Sequence, residues 1–399
     1  MQTLMFATGI ECSYPTIQHG AHRVDELETT GHYQRWQEDL HLTRDLGIRY
    51  LRYGIPYHRV NTAVGQYDWS FTDTVLNEMR QIGIEPLVDL CHFGMPDWLG
   101  NSFQNPEFVP AFTDYARTFA ERYPWVRFYT PINEMFVCAK FSALYGWWNE
   151  QAADECSYLR AVTHMVKASL LAEQTILRLQ PEAIFIHSES CEYTHTLSGN
   201  TALHQRVEWE NQVRFLALDL LYGHQVRADI YAWMMQNGMS AGDYKWFMNQ
   251  YHYRCVLGTD YYITNERMLN ADNEVVYTGE VFGWYLISLD YYQRYHIPLM
   301  HTETNIREEA NAVGWLWKQW QNVLRMRAEG IPVLGFTWYS LTDQIDWDSA
   351  LREVNGNVNP LGLYDLNRQI RPVGSAYRDL IREFAWLPVV HNSDFFQLN

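Results

Sequence analysis

Glu134 and Glu303 are the residues whose setting first suggests chemistry. The stretch Thr130-Pro131-Ile132-Asn133-Glu134 follows an alternating run, Val126-Arg127-Phe128-Tyr129, and delivers an amide and a carboxyl side by side at its end. A second carboxyl arrives much later in a similar setting, Pro298-Leu299-Met300-His301-Thr302-Glu303. Two carboxyls at the ends of two buried strands are what cleavage of a glycosidic bond requires: one protonates the leaving oxygen and the other attacks carbon or activates water. The competing use of such a glutamate is structural, as a helix cap or an arginine's partner. Asn133 tilts the balance, because an amide beside the acid can hold a substrate hydroxyl.

These residues need a scaffold that gathers strand ends, and the chain reads as one. Short apolar strands alternate with amphipathic helices: Leu4 to Ile10, Ile48 to Gly54, Ile84 to His92, the run before Thr130, Ala183 to Ser188, Val256 to Tyr262, Ile297 to Glu303 and Ile331 to Tyr339. Gly47 and Gly83 close the first two helices and Pro181 stops a long one that begins near Ser157. The stretch from about 200 to 250 reads as helical and is longer than one strand-helix unit needs. Eight strands, each followed by helical sequence, predict a single (β/α)8 TIM barrel spanning 1–399 as one catalytic domain. A doubly wound sheet would more usually carry a Gly-rich phosphate loop, and neither G-x-G-x-x-G nor G-K-[ST] occurs. In a barrel the chemistry sits at the C-terminal strand ends, which places Glu11, Arg52, His92, Glu134, Glu189, Tyr262, Glu303 and Trp338 on one rim.

Composition narrows the partners. With 30 Lys+Arg against 47 Asp+Glu the net charge is −17, a surface that repels phosphate backbones and anionic lipids, so neither nucleic acid nor membrane is an expected partner. The 16 Trp and 27 Tyr mostly fill a core, but their rings also suit the apolar faces of sugars, and a carbohydrate or glycoside is the expected substrate. Six widely spaced cysteines without a C-x-x-C pair, and an N-terminus without a basic region, lead to the expectation of free thiols in the cytoplasm. No H-x-H follows the first strand, no H-E-x-x-H occurs among the 15 histidines, the group His19, His22 and His32 lies in one loop, and no G-x-S-x-G is present; neither metal nor cofactor is expected.

The remaining rim residues each carry two readings. Arg52 can keep a carboxylate nucleophile ionised or form an ordinary buried ion pair. His92 can donate to a sugar hydroxyl or serve as a satisfied structural group. Tyr262 can hydrogen-bond Glu303 or pack in the core. Trp338 and Trp347 can form a stacking floor or simply fill space.

Seven segments, in order along nearly the whole chain, resemble the motifs of family 1 glycoside hydrolases, the β-glucosidase-like members of the large retaining (β/α)8 clan. Leu51 to Val60 is similar to F-R-F-S-I-S-W-S-R-I, and Pro86 to Leu99 to P-x-V-T-L-x-H-W-D-L-P-x-W-L. Thr130 to Glu134 resembles T-x-N-E-P, Leu257 to Thr264 resembles G-x-N-Y-Y-T, and Thr302-Glu303-Thr304-Asn305 resembles T-E-N-G. Trp338 to Trp347 looks like W-S-L-L-D-N-F-E-W, and Gly362 to Asp365 with Arg371-Pro372 echoes G-L-Y-x-V-D and R-x-P-K. The resemblance implies Glu134 as general acid/base and Glu303 as nucleophile, supported by Arg52 and Tyr262. It implies His92 and Asn133 as glycone ligands, with Trp338, Asp346 and Trp347 lining the same subsite.

The chain departs from the pattern around the glycone. Met135 replaces Pro, Phe93-Gly94 replaces Trp-Asp, Asp260 stands for Asn and Asp346 for Glu. The first strand has no clear glycone-binding Gln, and Glu11 is its nearest polar candidate. No phosphate-binding Ser/Lys/Tyr set follows Trp347. The reading is a divergent member acting as a retaining O-glycosidase, with transglycosylation and a non-catalytic carbohydrate-binding barrel as the alternatives.

Overall fold

The computed structural model describes residues 3–250 and 254–389; the expected domain limits at 1 and 399 lie outside the described residues. Eight parallel strands close into a barrel in chain order: β1 (Met5–Gly9), β2 (Tyr50–Gly54), β3 (Glu85–Asp89), β4 (Phe128–Thr130), β5 (Ile184–Ser190), β6 (Cys255–Asp260), β7 (Leu299–Glu303) and β8 (Val333–Tyr339). Side chains on one face of the strands fill the barrel, among them Met5, Ala7, Leu87, Phe128, Ile186 and Met300. The other face packs against helices, so most strands are buried on both sides and read as apolar runs rather than alternations.

The outer ring comprises α1 (His32–Asp45), α2 (Ser70–Ile82), α3 (Phe108–Arg122), α4 (Glu155–Leu179), α5 (Gly283–Tyr295), α6 (Glu309–Ala328) and α7 (Pro372–Phe384). Helix α2 shows why these segments dock. Its apolar positions recur at helical spacing, and Val75, Leu76 and Met79 are fully buried, each worth about 1.5–3 kcal/mol against exposure. Gly83 ends it in the left-handed region at φ 78°. Asp154 caps α4 by accepting from the Ser157 N–H at 2.8 Å. The expected helical stretch after β5 resolves into Thr201–Val213, Leu216–Leu221, Ala228–Gln236 and Ala241–Met248. The first of these covers a three-stranded sheet at the C-terminal end of the barrel, where Asn211 accepts from Thr194 N–H.

Two irregularities decide what the last strands present. Between β6 and β7 the register runs from Gly258↔Met300 to Asp260↔Glu303, so β7 spends one residue more than its neighbour. Between β7 and β8 it runs from Leu299↔Val333 to His301↔Phe336, and there β8 carries the extra residue. Each extra residue reverses which side chains face inward beyond it. Met300 fills the barrel and strict alternation would turn Glu303 outward; the bulge turns it in. In β8, Phe336 and Trp338 face the helices, and Tyr339 faces the barrel axis.

Candidate active site

The C-terminal strand ends bring six of the ten expected residues into one hydrogen-bonded or closely packed cluster. Arg52 reaches inward from β2, almost fully buried. One guanidinium nitrogen donates to Glu303 Oε1 and to the Thr302 carbonyl (3.3 Å), and the other donates to Asn133 Oδ1 at 2.8 Å. Tyr262, just beyond β6, donates its hydroxyl to Glu303 Oε2 at 2.6 Å. Both oxygens of Glu303 are therefore held by donors from separate strands, which neutralises and orients an anion there.

His92 follows β3. Its Nδ1 lies 2.7 Å from Asp89 Oδ2 and its Nε2 lies 3.4 Å from Asn133 Nδ2. The chain Asp89–His92–Asn133–Arg52–Glu303 is thus continuous, and Asn133 is its middle member. Glu134 enters the cluster through its backbone. Its N–H bonds the Ser188 carbonyl of β5, and it adopts φ 43°, ψ 60°, a left-handed conformation costly for a residue with a side chain. That turn separates the end of β4 from a short helix, Met135–Ala139.

Burial raises the Glu134 carboxyl well above the usual carboxylate range; Asp260, Glu303 and Glu189 add to the rise and His92 opposes it. Such a setting favours the protonated form of the carboxyl. Glu189 serves the backbone instead, accepting from the N–H of Phe136 at 3.1 and 3.3 Å, and so caps the helix that starts after Glu134. Burial pushes it up to about 8.

Four expected residues lie differently. Glu11 accepts from the N–H and hydroxyl of Ser13 at 2.9 and 2.5 Å, beside Tyr339 and the buried Glu26. Asp346 accepts from three consecutive backbone N–H groups, of Asn355, Gly356 and Asn357, at 2.8–2.9 Å, and so pins a loop. Trp347 meets Phe93 and Trp148 edge-on, with ring centroids 6.2 Å apart in both cases; its indole N–H is buried with no hydrogen-bond partner among the described residues. Trp338 is turned away from the cluster: fully buried among the helices, it donates its indole N–H to the Leu361 carbonyl at 3.0 Å.

Its neighbour Tyr339 occupies the inward position. The ring lies over Gly9, where a Cβ would come within 2.2 Å of it, and it stacks parallel to His92 and under the Arg52 guanidinium. Sequence reasoning misses Tyr339 because the bulge in β8 leaves no mark in an apolar run. Asp260 stands out in the sequence only as a departure from a motif, although its place at the end of β6 beside Glu303 is legible in the strand order.

Beside the cluster lies a cavity of about 250 Å³, lined by Phe136, Lys140, Tyr145, Tyr158, Trp209 and Arg267 among others. Phe136 is two residues beyond Glu134. The loop that carries Tyr145 and the helical stretch after residue 200, through Trp209, thus meet at one wall. Among the described residues no disulfide joins any of the cysteines, and no helix is long and apolar enough to cross a membrane.

Comparisons with known proteins bear on this geometry. The model of glycosyl hydrolase family 1 matches residues 14–242, more than half of the chain. A 6-phospho-beta-glucosidase, AscB of Escherichia coli, is 30% identical over 196 residues, which cover 42% of this chain and 41% of that protein. Beta-glucosidase A of Thermotoga maritima is 28% identical over 144 residues, covering 34% and 32%. The chain thus aligns with about two fifths or less of the length of these two curated relatives. Among solved structures, the Thermotoga maritima beta-glucosidase bound to castanospermine superposes with a TM-score of 0.79 at 18% identity, over 96% of this chain and 98% of that one, a likeness of fold.

Proposed function

On the premise that the chain belongs to glycosyl hydrolase family 1, as its family match shows, we propose that it is a retaining β-glycosidase acting by double displacement. The observation that carries this reading is the unequal treatment of two carboxyls in one cluster. Glu303 is held by Arg52 and Tyr262, whereas burial and neighbouring acids keep Glu134 protonated. Glu303 attacks the anomeric carbon as the bond to the leaving oxygen breaks, and that oxygen takes the Glu134 proton. Glu134, now a carboxylate, removes a proton from water, whose oxygen displaces Glu303 from the anomeric carbon. Retention follows from the two inversions.

On this reading Asn133 and His92 are the ligands of the glycone hydroxyls, with Tyr339 rather than Trp338 as the ring beneath the sugar. The unpartnered Trp347 N–H is the further donor for a hydroxyl. Glu11 lies beside Tyr339, and the cavity beyond Phe136, lined by Tyr145, Tyr158 and Trp209, suits an aglycone with an aromatic surface. The test is the configuration of the first product. Proton NMR during hydrolysis of an aryl β-glycoside, chosen by a screen of gluco, galacto, manno, fuco and xylo glycones, should show the β-hemiacetal appearing before mutarotation. First appearance of the α anomer overturns the mechanism.

Two substitutions probe the support of this site. Tyr262→Phe removes one hydrogen bond to a charged oxygen and is expected to lower kcat/KM by about 10- to 100-fold, equivalent to about 1.5–3 kcal/mol, with the fold's thermal midpoint little changed. Tyr339→Leu is expected to lower kcat/KM at least about tenfold through lost stacking on the glycone and loosened Arg52. Trp338→Phe is expected instead to lower stability by about 1–3 kcal/mol in denaturant titration and to leave KM in place. The reverse pattern would show that the sugar meets Trp338.

A further inference from the structure

The cluster contains a third carboxyl for which a two-glutamate reaction has no use. Asp260 ends β6 and pairs in register with Glu303 of β7. Its side chain is fully buried. Ser188 Oγ donates to Asp260 Oδ2 at 2.7 Å, while Oδ1, equally buried, has no hydrogen-bond partner among the described residues. An ionised carboxylate with one oxygen left unserved in the interior is costly; an acid carrying its proton is much less so.

The groups that face Asp260 come from every neighbouring strand: Glu303 on β7, Arg52 on β2, Glu134 after β4, Glu189 on β5, and Cys191 and Tyr262 just beyond strand ends. The carboxyls of Glu134, Glu189, Asp260 and Glu303 are thus set around Arg52, whose hydrogen bonds already go to Glu303, Asn133 and a carbonyl. Not all four carboxyls can ionise together there.

Building on the assignment of Glu134 as the acid, we propose that Asp260 is a positioning residue for the reaction: as pH rises it gives up its own proton first, and its charge then keeps the proton on Glu134. Burial and then Glu303 push Asp260 up to about 8, against the pull of Arg52 and Ser188. Glu134 is raised first by burial and next by Asp260 itself. Two such groups titrate as a unit, and the first ionisation delays the second. Asparagine at this position keeps an acceptor for Ser188 and supplies no charge.

The test is Asp260→Asn, read as the pH profile of kcat/KM on an aryl β-glycoside that the wild type hydrolyses. The basic limb is expected to fall by about one pH unit while the acid limb stays in place. An unmoved basic limb overturns the role of Asp260. A second readout needs no turnover. Asp260 in the folded protein lies above its ordinary value, so the folded chain retains a proton that the unfolded chain has lost, and wild-type stability declines as pH rises from about 4 to about 8. Asp260→Asn lacks that decline, so its thermal midpoint should gain on the wild type across the window. A pH-independent difference overturns the buried acid. Widening of that difference in a chain that hydrolyses no β-glycoside sinks the glycosidase reading; turnover with an unmoved limb sinks only the role of Asp260.

Discussion

Glu303→Gly is expected to lower kcat by about 10⁵-fold, and sodium azide is expected to restore turnover. The substitution removes the attacking oxygen and leaves a space faced by the Arg52 guanidinium and the Tyr262 hydroxyl, both of which bond the carboxylate in the intact site. A small anion is held by the same donors, on the same face of the sugar. Azide then attacks from the nucleophile's side in a single displacement, and the product is the α-glycosyl azide. Its isolation from a β-glycoside identifies both the residue and the stereochemistry. Undiminished turnover in Glu303→Gly, or a β-azide, removes Glu303 from the nucleophile's role.

Glu134→Ala separates substrates by their leaving groups. A dinitrophenolate departs without a proton, so the bond-breaking step should slow by less than about tenfold; an alkyl alkoxide needs one, and its release should slow by about 10³-fold or more. Azide rescue in this variant should give the β-glycosyl azide, because azide replaces the water that Glu134 activates. The basic limb of the pH profile should also disappear, since Glu134 is the group whose proton it reports. Equal losses on both substrates would assign the proton to another residue. Glu189 is the neighbouring carboxyl to suspect, but its oxygens are already committed to the N–H groups of Phe136 and Ser190.

Much of the architecture is legible in the amino-acid sequence. Apolar runs of strand length, helices with buried faces such as that of Val75, Leu76 and Met79, and glycines such as Gly83 placed just past helix ends all describe the barrel that forms. The clustering of Arg52, Asn133, Tyr262 and Glu303 follows from strand order alone, because parallel strands deliver their C-terminal ends to one rim. What stays hidden is orientation. Strands buried on both faces carry no polar side to mark which residues point inward, so Trp338 and Tyr339 look equally eligible. Asp346 is hidden for another reason. Its partners are backbone N–H groups of residues 355–357, and no side-chain pattern records where a loop's main chain will turn.

The bulges in β7 and β8 have a consequence for how such a protein can fail. Pairing β7 regularly, with its extra residue absorbed into the ladder and the chain length unchanged, would leave the hydropathy of the strand intact and the wall still able to close, while rotating the glutamate at its end toward the surrounding helices. A matching change of pairing in β8 would exchange Tyr339 for Trp338 at the barrel mouth. Both glutamates and every flanking motif would still be present in the translated chain. A chain that keeps every motif letter can therefore form an inert barrel, and the points at which its strands depart from regular pairing carry as much chemical information as the motifs themselves.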